Sequence, residues 1–331
     1  MAAYLASVVA STLNKNRKKV WAQIWGCHPV WFKLEKKLKR PYDGGLNIVE
    51  ILEVGENGTV AWRDPKAAIP LEETDELVRV SWSPKSLSGS ITIFDDDEKT
   101  NSGDSAIVDY TTVKINGLKS KLKKQLRLGL WSAGGEIAMD GLPAICSASN
   151  VYPVADSRTQ ITGINRSTTG NEYWQAVVKS TSEPWSLTGG TDGGWQKLYN
   201  DLLNYGDDSG DDMTDEPDII VTSQGIYEMY EQSMLDQQPK MNKELAEAGF
   251  TNLMYKGAAV TWDPNIDDAT KTYMLNTKYI DIRPHTSNAS DFDYSEMHPM
   301  ETQLAKRQLV SWTGNLTCVM PRKQGVSANK S

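Results

Sequence analysis

From Leu46 to Val54 the chain places apolar residues at Leu46, Ile48, Ile51 and Val54, a near-alternation with one irregularity. This predicts a strand, opened by Gly44-Gly45 and closed by a turn over Gly55 to Gly58. Thr59 to Trp62 and Leu77 to Trp82 predict further short strands around an acidic, proline-containing excursion at 63 to 76. Ser88 to Phe94 alternates again through Ile91 and Ile93. Two outer strands bracketing a distal pair describe a two-stranded ribbon reaching away from a body. Such a ribbon is marginal alone in water and needs a partner.

After the acidic knot Asp95 to Glu98, Ile107, Ile115, Leu118, Leu122 and Leu126 recur three, four or eight apart, which puts one apolar stripe on a helix over about 105 to 131. Asn101 or Ser102 can cap it. Asp104 and Asp109 sit near its start and Lys119 to Arg127 near its end, the order that the helix dipole favours. Gly134 and Gly135 end it. The stretch from Gly141 to Trp185 is only weakly periodic and predicts loops and short strands. Further helices are predicted over Trp195 to Tyr205, Ser223 to Leu235 and Lys243 to Ala248, with a buried strand at Ile219 to Val221. Leu253 to Tyr255 and Ala258 to Trp262 flank Lys256-Gly257, a hairpin signal. Tyr273 to Ile282 predicts one strand, and Leu309 to Trp312 and Leu316 to Met320 predict two, joined by Thr313, Gly314 and Asn315. The class is α+β, without the regular alternation of a doubly wound sheet.

Composition changes this picture in three places. The formal charge of −8 is uneven: the first 43 residues hold nine basic groups against Glu35 and Asp43, a net of +7, which leaves −15 for the rest. Pro29 and Pro41 break this region into helical fragments, giving a basic arm on an acidic body, able to meet nucleic acid or an acidic neighbour. Eleven Trp and thirteen Tyr against four Phe suit surfaces that become buried against a partner, and cores equally. Cys27, Cys146 and Cys318 form no CxxC pair, which fits a reducing compartment. The apolar opening to Leu13 precedes its charges, the wrong order for a secretory signal, and no run is long enough to span a bilayer. The expectation is a soluble protein with no membrane partner.

Candidate chemistry is sparse. Among His28, His285 and His298 no HExxH occurs, and there is no GxSxG, P-loop or GxGxxG. The acidic loop Asp207 to Glu216 lacks the ligand spacing of a calcium loop. No catalytic residue, metal or cofactor is expected.

Read in order, several phrases resemble the major capsid proteins of tailed phages, which share the Hong Kong ninety-seven type fold with encapsulin shells. Gly44-Gly45, Glu56 to Val60 with Trp62, and Trp82 with Ser88 to Phe94 resemble the two halves of the extended E-loop of that fold, and Asn101-Ser102-Gly103 resembles the opening of its spine helix. Gly163-Ile164-Asn165-Arg166-Ser167-Thr168 with Trp174, Pro217-Asp218-Ile219-Ile220-Val221, Ala248-Gly249-Phe250, Leu275-Asn276-Thr277 and Trp312-Thr313-Gly314-Asn315-Leu316 continue the likeness.

The resemblance implies an N-terminal arm at 1–45, an E-loop at 46–94, a peripheral domain at 95–187 and 290–331, and a mixed α/β axial domain at 188–289. It implies hexamers and pentamers of this chain in an icosahedral head enclosing double-stranded DNA, assembled in the host cytoplasm, with portal, scaffolding and possible cement partners. Expected inter-subunit contacts on the E-loop are Val60, Trp62, Arg63, Lys66, Glu72, Glu73, Arg79 and Trp82. The basic arm is Lys15, Arg17, Lys18, Lys19, Lys36, Lys37, Lys39 and Arg40. The rival readings are an encapsulin-type compartment and, from another class, a metal-dependent enzyme.

Overall fold

Proline lacks an N–H and has a fixed φ, so it fits the first turn of a helix, and Pro29 opens helix α1 (Pro29–Glu35) in the computed structural model. The structure describes residues 29–35, 40–54, 59, 62–64, 66–68, 77–96, 104–154, 163–181, 194–204, 215–234, 253–288 and 292–329. Strands β1 (Ile48–Glu53), β2 (Leu77–Trp82) and β3 (Lys85–Phe94) precede the long helix α2 (Asp104–Leu130). Then come β4 (Val177–Thr181), α3 (Gly194–Asn204), β5 (Ile219–Thr222), α4 (Gln224–Ser233), β6 (Leu253–Tyr255) and β7 (Ala258–Trp262). Strands β8 (Lys271–Leu275), β9 (Ile280–Pro284), β10 (Ala305–Cys318) and β11 (Gly325–Asn329) finish the chain. The class is mixed α+β.

A six-stranded sheet runs in the order β4-β11-β8-β5-β7-β6, with β4–β11 and β5–β7 parallel and the rest antiparallel. Trp195, Leu198 and Leu202 of α3 and Ile226, Tyr227 and Tyr230 of α4 pack with its residues Ile220, Val260 and Met274. Beside this lies a second sheet built on β10, which pairs with β3 and β9 and with the short segments Asp293–Tyr294 and His298–Pro299. The sheets divide the chain differently from the expected ranges. Strands β4 and β11 join the sheet of the 188–289 region, while β9 leaves it for the other.

Helix α2 has 27 residues, about 40 Å of axis. It buries Ile115, Leu122, Leu126 and Leu130, so its stripe faces the body as the spacing predicts. Gly134 (φ 84) and Gly135 (φ 147) follow it, at backbone angles that other residues rarely adopt. The hairpin between β6 and β7 turns on Lys256 (φ 46) and Gly257 (φ 95), the paired positive angles of a tight hairpin turn.

Four expectations change. The ribbon is shorter at its base than the pattern suggests: β1 pairs directly with β2, from Ile48↔Trp82 to Glu53↔Leu77, and β3 is not part of it. Ser83-Pro84 break the strand, and β3 turns to pair with β10, where Ile91 and Ile93 cover Ile115 of α2. The arm is not wholly free either, because Val30, Trp31 and Leu34 of α1 are buried in the main core. Spaced at i, i+1 and i+4, these apolar residues share one face of the helix. The predicted strand Tyr273 to Ile282 is split into β8 and β9 at Asn276. There the side chain accepts from the Lys278 N–H (3.1 Å), while Gln324 accepts from the Asn276 N–H (2.9 Å) and donates to its carbonyl (3.0 Å). Conversely, β10 runs unbroken through Gly314, where a turn is expected. A Cβ there would meet the Arg283 carbonyl at 2.8 Å, so the glycine permits close strand packing. The segment Lys243 to Ala248 lies outside the described residues.

Candidate functional site

Directly opposed residues in an antiparallel pair share a face, so the β1–β2 register sorts the ribbon into two surfaces. Ile48, Glu50 and Leu52 lie with Trp82, Val80 and Val78 on the inner face. Ile48, Val80 and Trp82 are buried in the main core, and Leu52 and Val78 pack against it. Glu50 forms an ion pair with Arg283 of β9, which pins the ribbon's base to the body. The outer face carries Val49, Ile51 and Glu53 opposite Ser81, Arg79 and Leu77. Here the aliphatic side chains stay largely uncovered among the described residues: Ile51 is 68 % and Leu77 61 % exposed. Beyond them Trp62 is fully exposed. A strand pair apolar on both faces, with one face open to water, is a surface that asks for a partner.

The residues expected to make inter-subunit contacts fall into three groups. Trp62, Arg63, Lys66 and Arg79 are all exposed on the ribbon, with Arg63 Nη1 donating to the Ala67 carbonyl (2.9 Å). Val60, Glu72 and Glu73 lie outside the described residues. Trp82 is a correction: it is 0 % exposed, its indole N–H donates to the Tyr152 hydroxyl (3.2 Å), and so it is a core residue of its own subunit. Its place at the foot of the ribbon, opposite Ile48, puts it beneath the strand pair and not on its surface. Of the basic arm, Arg40 is exposed, and Lys15, Arg17, Lys18, Lys19, Lys36, Lys37 and Lys39 lie outside the described residues. Lys33, not singled out by its charge, is the basic residue that fastens the arm: its Nζ donates to the carbonyl (2.5 Å) and carboxylate (3.2 Å) of Asp218.

Sequence reasoning missed Val49, Ile51 and Leu77 as contact candidates. Their signal was the irregularity itself, since Ile48-Val49 and Ile51-Leu52 are adjacent apolar pairs and an ordinary half-buried strand would alternate. It also missed a groove of about 390 Å³ between the last turns of α2 and the start of β3, lined by Leu87, Leu126, Leu128, Met139, Trp312 and Ile137 among others.

The phrases that carry the resemblance are fastening points within the subunit. Arg166 is fully buried. Its Nη1 donates to the carbonyls of Ala144 (2.9 Å) and Ser147 (2.5 Å) and to Asn150 Oδ1 (2.9 Å), and its Nη2 to the Ile145 carbonyl (2.9 Å). The guanidinium lies 4.8 Å from the centroid of the Tyr152 ring, which stacks on Trp174. Burial pulls the Arg166 pKa down to about 10, which leaves it charged at neutral pH. Asp218 accepts from the backbone N–H (2.9 Å) and hydroxyl (2.6 Å) of Thr277, so two of the phrases meet at one carboxylate. Buried Asn315 donates to the Ser83 carbonyl (2.9 Å) and to the Asp140 carboxylate (2.9 Å), and accepts from the Asp140 N–H (3.1 Å).

Among the described residues no group of three or more His, Cys, Asp or Glu could hold a metal ion. The carboxylates of the Asp263 to Thr270 loop are used internally: Asp263 by the Trp131 indole, Asp267 by Tyr273 and Lys271, and Asp268 by Thr270. Burial pushes the Cys146 thiol far up, so it stays protonated and inert. No helix among the described residues is long and apolar enough to cross a membrane.

The described residues combine a two-stranded ribbon, a long helix packed against a long sheet and a second, mixed sheet in one α+β architecture. It is the fold of tailed-phage major capsid proteins. Among solved structures, the capsid asymmetric unit of cyanophage A-1(L) is similar over 88 % of this chain and 90 % of that one, with a TM-score of 0.58 at 15 % identity. The capsid of the native GTA particle is similar over 90 % of both chains, with a TM-score of 0.56 at 10 % identity. A chain of Gordonia phage Cozz is similar over 90 % of this chain and 86 % of that one, with a TM-score of 0.50 at 12 % identity. No protein-family model and no curated protein matches the sequence.

Proposed function

We propose that this chain is the major capsid protein of a tailed phage, a structural tile and not an enzyme. Copies assemble in the host cytoplasm into the hexamers and pentamers of an icosahedral head around double-stranded DNA. The observation that carries the reading is the ribbon's outer face. Val49, Ile51 and Leu77 lie open to water on a strand pair whose other face is already committed to the body. A monomer gains nothing from that surface. A lattice does, because each ribbon then buries apolar area against a sister subunit, and a weak contact repeated around symmetry axes becomes a stable shell. Trp62, Arg63, Lys66 and Arg79 contribute to the same contact, as do Val60, Glu72 and Glu73. The basic arm passes beneath a neighbour or faces the packaged DNA without sequence preference. Portal and scaffolding proteins are the further partners that such a head implies.

The test replaces residues 55 to 76 by a two-residue turn that closes β1 directly onto β2. The expected product is a soluble, folded subunit that forms no particles by negative-stain electron microscopy. Particles of parental size from that variant would overturn the ribbon's role.

A further inference from the structure

Three parts of the chain meet at the foot of the ribbon. Tyr42, from the end of the arm, forms a parallel bridge with His285, and its N–H donates to the Pro284 carbonyl (3.1 Å). The Thr286 N–H in turn donates to the Tyr42 carbonyl (3.0 Å). Parallel register carries Arg40 back alongside Arg283, and Pro41 holds the preceding Arg40 in an extended conformation. From the ribbon, Glu50 closes the group through its ion pair with Arg283, both side chains being largely buried. Arm, ribbon and body are thus joined by two arginines and one carboxylate.

The polar groups of this junction are not fully matched. Glu50 spends one carboxylate oxygen on Arg283, while its Oε2 is buried and accepts no hydrogen bond. The Arg283 Nε is likewise buried without a partner. Burial lowers the Arg283 pKa, and the charge of Arg40 lowers it further, so the two guanidiniums oppose each other. A carboxylate has lone pairs enough for two guanidiniums, and a buried acceptor left empty is costly. The exposed Arg40 is the cation placed to fill it.

We propose that Glu50 is a positioning residue held between two cations: Arg283 keeps its Oε1, and Arg40 takes its Oε2 as the ribbon leans toward the arm. The angle of the ribbon then follows the arm. The consequence rests on the shell reading above, since one chain that builds both hexamers and pentamers needs more than one ribbon angle. The junction itself lies within a single subunit.

The test reads amide hydrogen exchange of β1 and β2 in the unassembled subunit. Arg40→Gln changes an exposed side chain, so the thermal midpoint should hold while exchange in these strands rises about fivefold, the scale of one partly screened ion pair. Arg40→Lys, which keeps the charge, should stay near the parental rate. In a Glu50→Gln background, Arg40→Gln should add nothing, because the anion it serves is gone. Unchanged or slower exchange in Arg40→Gln would overturn the proposal, the slower result meaning that Arg40 only repels Arg283. An equal rise in both backgrounds would overturn it too, since Arg40 would then act elsewhere. If Glu50→Gln does not fold, the contrast between Arg40→Gln and Arg40→Lys still decides. Failure of the parent chain to form particles would strike the shell reading and leave these exchange rates as they are.

Discussion

Arg166 is a buried cation with no carboxylate among its hydrogen-bond partners, and replacing it should be among the most damaging single changes in the subunit. Its guanidinium satisfies the carbonyls of Ala144, Ile145 and Ser147 and the side chain of Asn150, tying the end of a short helical turn to Asn150. Arg166→Met keeps an unbranched chain but leaves three carbonyls facing an apolar end. Each unsatisfied buried carbonyl costs about 1 to 3 kcal/mol, and relief of guanidinium burial offsets part of the sum. A net loss of about 3 to 5 kcal/mol is expected, a large fraction of a typical domain's stability. Lys at this position, with one nitrogen instead of a fork, cannot reach both the Ser147 and Ile145 carbonyls and should recover only part of the loss. Urea unfolding of the unassembled subunit, followed by the fluorescence of buried tryptophans such as Trp174, measures the difference. An Arg166→Met midpoint corresponding to less than about 1 kcal/mol would refute the assignment of Arg166 as a fastening point.

Four further outcomes follow from other parts of the molecule. Gly117 lies in the interior of α2, where an added Cβ would meet no described residue outside its own helix backbone within 4 Å, so Gly117→Ala should stabilise the subunit by about 1 kcal/mol in the same urea assay. Gly314→Ala should destabilise it, because its Cβ would meet the Arg283 carbonyl and the Trp312 ring, each at 2.8 Å. The backbone N–H (2.9 Å) and hydroxyl (2.8 Å) of Thr270 hold the Asp268 carboxyl below the usual carboxylate range. Its contribution is therefore fully present above the unfolded value of about 3.9 and is lost as pH falls through the lower folded value, so Asp268→Asn should flatten the acid limb of stability against pH. Reversing the charges of Lys15, Arg17, Lys18 and Lys19 should lower particle yield or DNA content, measured by sedimentation and absorbance. Unchanged values would remove the arm from assembly.

Local features were good guides wherever the cause of a structure was itself local. Lys256-Gly257 needed only its two positive angles, and α2 needed only its stripe and its terminal glycines, so both were legible. Long-range pairing was not. Nothing within Ser88 to Phe94 distinguishes a ribbon strand from one that pairs with β10, more than 200 residues away, and the local break at Ser83-Pro84 was the one available hint. Trp82 was misplaced for a related reason, since an aromatic at the foot of a projecting strand is equally suited to a core and to an interface. Gly314 suggested a turn by type, while its role is a close approach to β9 that only the three-dimensional packing reveals. The ribbon was legible as a segment, whereas its exposed apolar outer face was not, because adjacent apolar pairs looked like an irregularity.

The most direct test of the shell account is a cryo-electron-microscopy reconstruction of the purified protein, traced through the ribbon. The account predicts closed particles in which residues 55 to 76 of each subunit lie on an adjacent subunit, with Ile51 and Leu77 covered there. A small oligomer in which that segment folds back over its own β1–β2 face would contradict it.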